Sequence, residues 1–206
     1  MKQFSKTLGI FSSLLAALLT TLFGIFVVLD AKFIYFTSVL FLSISVVMMI
    51  ISMKTFIPPE KEVFVNCAIA FGIMYALLVS LVYYTQISVV LKGTLSNELL
   101  KIVSDSPGTV FFYIDMFGYC FLCLATLFMA FAINRRDVLF RVFLLIHSVL
   151  FVPTFLLPFL PVNFSTTETS GSTSGNFVLV AWAAIFVPVC LLLTRYFLKQ
   201  KTSNKL

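Results

Sequence analysis

Six apolar stretches, free or nearly free of charge, alternate with short polar segments along the chain: residues 8–29, 33–53, 63–91, 109–132, 142–161 and 177–194. A helix crossing about 30 Å of hydrocarbon needs roughly 20 apolar residues at 1.5 Å each, and each stretch meets or approaches that length. A transmembrane barrel instead needs strands of about 10 residues with apolar and polar positions alternating, and no such alternation occurs. The pattern therefore predicts an all-α polytopic membrane protein, one bundle of six transmembrane helices spanning residues 1–206.

The segments between the stretches refine this picture. Asp30, Ala31 and Lys32 leave room only for a tight turn, so the first two helices form an antiparallel hairpin. Pro58 and Pro59 stop any helical continuation into the next segment. In the loop 92–108, Leu95, Leu99, Ile102 and Val103 recur with helical period behind Ser96, a good N-cap, with Glu98 in the first turn. That predicts a short interfacial helix on the outer surface, ended by Pro107 and Gly108. Pro153 and Pro158 predict a kink in the fifth helix. The loop 162–176, rich in Ser, Thr and Gly, reads as flexible, and Asn163-Phe164-Ser165 within it matches a glycosylation acceptor if the host is eukaryotic.

The third stretch is the longest, 29 residues or about 43 Å, and implies tilt or protrusion. Ala68, Gly72, Ala76 and Ser80 recur every fourth residue, the small-residue spacing that lets helix backbones approach closely in lipid. This makes the third helix the expected centre of the bundle, and the same stripe could alternatively serve a homodimer or another membrane subunit.

Composition agrees with the class: 61% of residues are hydrophobic and 11% charged, against about 25% charged in soluble domains. The formal charge of +6 is explained by its placement. With a cytoplasmic N-terminus and six spans, the inside holds Lys2, Lys6, Lys54, Lys61, Arg135, Arg136, Arg141, Arg195, Lys199, Lys201 and Lys205, and the outside Lys32, Lys92 and Lys101. This positive-inside bias predicts a cell-membrane protein with both termini cytoplasmic. No basic cluster interleaved with aromatics suggests a nucleic-acid surface. Lys2 and Lys6 before an apolar run resemble the start of a signal peptide, but the run is longer than an h-region of about 7 to 15 residues, so a retained first helix is expected. Trp182 and Tyr196 are expected at the outer and inner interfaces respectively.

Asp115 is the one acidic residue inside an apolar stretch, about 9 Å below the outer end of the fourth helix. Intramembrane acids usually face the bundle interior or a water cavity. A helical wheel places Asp115, Gly118, Tyr119, Leu122, Ala125 and Thr126 on one small, polar face, opposite Phe117, Phe121, Leu124 and Phe128. Gln86 reaches nearly the same depth on the third helix, with Tyr83 one turn below. Asp115, Gln86, Tyr83 and Tyr119 thus form a candidate intramembrane polar site, either a structural tie between helices or a place for a proton, a cation or the polar end of a substrate. Lys92 is the nearest candidate counter-charge.

His147, the sole histidine, lies about 8 Å from the inner end of the fifth helix, at the depth of Thr126, and a bond between the two is expected. Its depth differs from that of Asp115 by roughly 13 Å, which excludes a direct acid–base pair and leaves only a stepped relay. One histidine without clustered cysteines or carboxylates does not make a usual metal site. Cys120-x-x-Cys123 sits in mid-membrane with no cysteine in either larger outer loop to pass electrons on, so small apolar packing is the plainer reading. No nucleophile arrangement, H-E-x-x-H, phosphate loop or paired intramembrane carboxylates calls for an enzyme or a cofactor. The expected function is a non-catalytic accessory or assembly subunit in the lipid bilayer; the alternative is a small-solute or proton-coupled carrier using Asp115.

Overall fold

The structure is a computed structural model of the 206-residue chain. It describes residues 1–134, 136–159 and 173–201, and of 173–176 the backbone alone. Helices α1 (Lys2–Val28), α2 (Lys32–Lys54), α3 (Glu62–Ser88), α5 (Val110–Ala132), the pair α6 (Val138–Val149) and α7 (Phe151–Leu156), and α8 (Thr173–Lys199) build an all-α bundle. It contains six helical segments long and apolar enough to cross a membrane. The short α4 (Asn97–Val103) lies at one end, hereafter the far end; both chain ends meet at the other, the terminal end, where the Lys6 ammonium donates to the carbonyls of Leu198 and Gln200.

Chain order is packing order. Each spanning helix lies against its neighbour in sequence, α1 on α2, α2 on α3, α3 on α5, α5 on α6, and α8 closes the ring by touching both α6 and α1. At least one interhelical hydrogen bond marks every junction of this ring. Thr55, just past α2, donates to Ser5 of α1 at 3.0 Å, Ser43 of α2 meets Ser80 of α3 at 2.9 Å, and Ser13 of α1 meets Thr194 of α8 at 2.7 Å. Tyr83 joins α3 to Asp115 of α5, and His147 of α6 bonds both Thr126 of α5 and Trp182 of α8. Such bonds average about 0.6 kcal/mol in a membrane protein. Each is too weak to hold the bundle by itself, but together they select which faces meet.

The small-residue stripe of α3 is turned to α2. A side chain at Gly72 would come within 2.9 Å of Ile50, and Ser80 makes the bond just described, so at these two positions the stripe packs on α2 of the same chain. The expectation that this helix is the most buried is corrected: Ile73, Met74, Leu77, Leu81 and Tyr84 leave one of its faces exposed, whereas α5 is the most enclosed span. α5 has neighbours on three sides (α3, α6 and α7), and Gly118 lets it approach Val79 of α3, where a side chain would meet Val79 Cγ2 at 2.8 Å. Phe121, placed by the wheel on the lipid face, is buried and stacks on Phe71 of α3 at 6.0 Å.

The loop pattern finds the start of α4, which ends at Val103, before Pro107 and Gly108. Ser96 caps it by accepting from the Leu99 amide at 3.4 Å, and Glu98 lies in its first turn. Asp30 takes the left-handed conformation, φ 51°, in the tight turn after α1. The fifth span begins earlier than expected, at Val138, and so includes Arg141. It breaks at Leu150 and narrows to a 3-10 turn over Leu157–Phe159, consistent with Pro153 and Pro158 each removing an amide donor. Residues 173–176, read as loop, form the first turn of α8. The sequon at Asn163 and the rest of that loop lie outside the described residues.

Candidate functional site

Two polar clusters sit inside the ring, one toward the far end and one near mid-bundle. In the first, the Tyr83 hydroxyl donates to Asp115 Oδ2 at 3.1 Å. The depth argument that paired α3 with α5 is met, but the partner is the tyrosine. Gln86 is fully buried and turns away: its Nε2 donates to the Val103 carbonyl at 2.7 Å, fastening the end of α4 to α3. Lys92 is exposed at the surface and forms no ion pair with Asp115 among the described residues.

The first cluster is incompletely satisfied. Asp115 is half-buried as a residue, yet its Oδ1 is sealed and accepts no hydrogen bond among the described residues. The Gln86 Oε1 and the Tyr75 hydroxyl are likewise buried without partners among the described residues, and the Tyr119 hydroxyl, close to that of Tyr83, makes no well-formed bond there. Both phenols are within electrostatic reach of Asp115, and their rings pack edge-on at 5.8 Å. Buried polar atoms usually have partners, so this concentration stands out.

The loop after α4 supplies a carboxylate that the sequence reading did not single out. Asp105 is half-buried, with the Tyr35 hydroxyl donating to its Oδ2 at 3.5 Å, and it is near enough to Asp115 for their charges to interact. Burial pushes the Asp105 carboxyl above its ordinary value, against the pull of nearby Lys32. Thr109 caps α5 through the Phe112 amide and donates to the Ser104 carbonyl at 2.5 Å, so the segment carrying Asp105 is held by Tyr35, Gln86 and Thr109 together.

The second cluster is fully paired. His147 Nδ1 lies 3.0 Å from Thr126 Oγ1, as its depth predicts, and Nε2 lies 3.2 Å from the indole nitrogen of Trp182. Indole N–H is a donor only, so Nε2 must accept and Nδ1 must carry the proton. Thr126 then receives from Nδ1 and donates to the Cys123 carbonyl at 2.9 Å. All donors point one way, from α8 through α6 to α5.

Trp182, expected at the interface, is buried between the clusters, with its ring edge-on to Tyr119 at 5.0 Å and to Phe23 at 5.9 Å. On the side of His147 that faces the first cluster, its bonded neighbour is the Trp182 indole, which donates a hydrogen bond and takes up no proton. Cys120 and Cys123 are free thiols; Cys120 donates to the Thr154 hydroxyl at 3.4 Å and Cys123 is buried. Among the described residues, no group of three metal-binding side chains occurs.

Comparison with known protein families, with curated proteins and with solved structures gave no match.

Proposed function

We propose that this chain is a non-catalytic membrane protein, an accessory or assembly subunit whose intramembrane polar residues serve its own architecture. The observation behind this reading is the presence of an interhelical hydrogen bond at each junction of the ring, with Asp115 spent on one junction and His147 on two, one of them through Thr126. In the proposed orientation both termini face the cytoplasm of a cell membrane, because the terminal end carries most of the lysines and arginines. Partners, another membrane subunit among them, then dock on outer faces of the ring and leave its interior closed.

A second reading, a small-solute or proton-coupled carrier, has one specific observation in its favour: the unpartnered Asp115 Oδ1 with the hydroxyls of Tyr75 and Tyr119. One experiment separates the two. The parent and Asp115→Asn are purified, reconstituted into vesicles with an imposed pH gradient, and compared for proton flux. For the accessory reading, both sit at the leak of empty vesicles. Flux that is present in the parent and lost in the variant replaces it with the carrier.

A further inference from the structure

At the terminal end, where α6 begins and α8 finishes, a cleft of about 230 Å³ opens between the two helices. Its polar wall is Arg136, Asp137, Arg195 and Lys199, and its floor is apolar, including Leu139, Phe140 and Leu192. Three cations face one carboxylate, and that carboxylate is engaged: Asp137 pairs with Lys199 at 3.5 Å. Neither guanidinium of Arg136 or Arg195 enters an ion pair among the described residues. The N-terminus of the 12-residue α6 adds its partial positive charge, and the Asp137 side chain makes no capping bond there.

We propose that this cleft binds the headgroup of an anionic phospholipid, its phosphodiester on Arg136 and Arg195 and its acyl chains leaving over Leu139 and Leu192. Three features select a lipid. The charge exceeds what one carboxylate neutralises, which asks for an anion. The site lies at the end of two membrane-crossing helices, at headgroup level, and basic pockets between such helices are headgroup sites in general. The apolar floor has no use for a free anion but continues the surface that a tail follows. Arginine rather than lysine carries the two free charges, and its planar fork suits paired phosphate oxygens. The site also has an architectural consequence, since a lipid bridging Arg136 at the start of α6 to Arg195 on α8 would reinforce the junction that closes the ring.

The test uses the full chain, stripped of lipid in a neutral detergent. Its thermal unfolding midpoint is followed while phosphatidylglycerol, phosphatidylcholine or inorganic phosphate is added, and bound lipid is counted by native mass spectrometry. Phosphatidylglycerol is expected to raise the midpoint and to appear as a bound species, with the other two showing neither effect. The Arg136→Gln, Arg195→Gln double variant should need about twenty-five-fold more phosphatidylglycerol, at roughly fivefold for each basic residue near an anionic surface. Asp137→Asn should need about fivefold less, which guards against a double variant that merely folds badly. Equal stabilisation by phosphatidylcholine means general solvation by lipid and overturns the proposal. An equal response to inorganic phosphate means a free-anion site and also overturns it. Affinities unchanged in both variants place the lipid elsewhere, with the same result.

Discussion

The two interior clusters each hold one ionisable residue in the same bundle, and they are built to opposite standards. His147 has both ring nitrogens engaged, by Trp182 and by Thr126, and the hydroxyl of Thr126 is in turn engaged by a carbonyl. Asp115 has one oxygen bonded to Tyr83 and the other bonded to nothing among the described residues, with two further phenols nearby. The bonds of His147 join three helices and the bond of Asp115 joins two. A buried group with all its bonds made contributes stability and fixes a rotamer, whereas one left half-made costs stability. The first cluster is therefore the structural centre of the ring, and the second is where its stability is most easily altered in either direction.

The sharpest way to break this comparison is at the histidine. His147→Ala removes a buried ring and strands the Trp182 N–H, so a loss of roughly 3 kcal/mol or more is expected, read as a fall in the unfolding midpoint in detergent. A variant as stable as the parent removes His147 from the role of structural centre. Next comes Tyr83→Phe, which takes the one hydrogen bond from Asp115 and should cost about 1 to 2 kcal/mol. In a double-mutant cycle with Asp115→Leu, the Tyr83→Phe cost should shrink by about 0.6 kcal/mol or more, the coupling of the pair.

Asp105 extends the comparison outside the membrane-spanning segments. Its carboxyl is pushed above 3.8 mainly by burial, so the folded state holds this proton more tightly than the unfolded chain does. The associated stability is complete below pH 3.8 and is lost as pH rises through the raised value. The parent's unfolding midpoint should therefore carry a downward component over that window that Asp105→Asn lacks. Matching pH profiles would show that Asp105 is not the group responsible. The smallest effect belongs to Tyr119→Phe, which deletes a hydroxyl with no well-formed bond and keeps the ring against Trp182; it should be neutral or stabilising by less than about 1 kcal/mol. A clear loss of stability means that this hydroxyl does have work in the folded protein.

Membrane helices made some of these contacts legible in the sequence, because a fixed rise per residue converts position into depth. Depth alone matches Thr126 with His147, and it sets Asp115 level with Gln86, one turn above the Tyr83 that bonds it. Depth says nothing about rotation around the helix axis. Gln86 has the right height and points instead at the Val103 carbonyl, and the small-residue stripe that suggests a central α3 packs on α2. Trp182 was missed for a different reason. α8 begins at Thr173, four residues before its apolar run, so the tryptophan lies about 6 Å deeper than the run implies. The signal that could have found it was the donor-only indole in a chain whose one histidine needed a second partner. Asp105 carried no pattern at all, being one carboxylate in a loop, and its importance comes from the fold that sets it near Asp115.

The contact between the two ends of the chain bears on the order in which the protein is made. Gly9 has the ring of Phe197 laid directly over it, so close that a side chain there would lie 2.5 Å from the ring, and Ser13 waits for Thr194 one turn further along. α1 therefore leaves the ribosome with a face that α8, made later, covers. With roughly 170 residues separating the end of α1 from the end of α8, synthesis at 5 to 20 residues per second leaves that face uncovered for on the order of 10 to 30 s. During that interval the nascent bundle is an open sheet of helices, able to exchange α1 with a neighbouring chain or an insertion factor, and the arrival of α8 ends the opportunity.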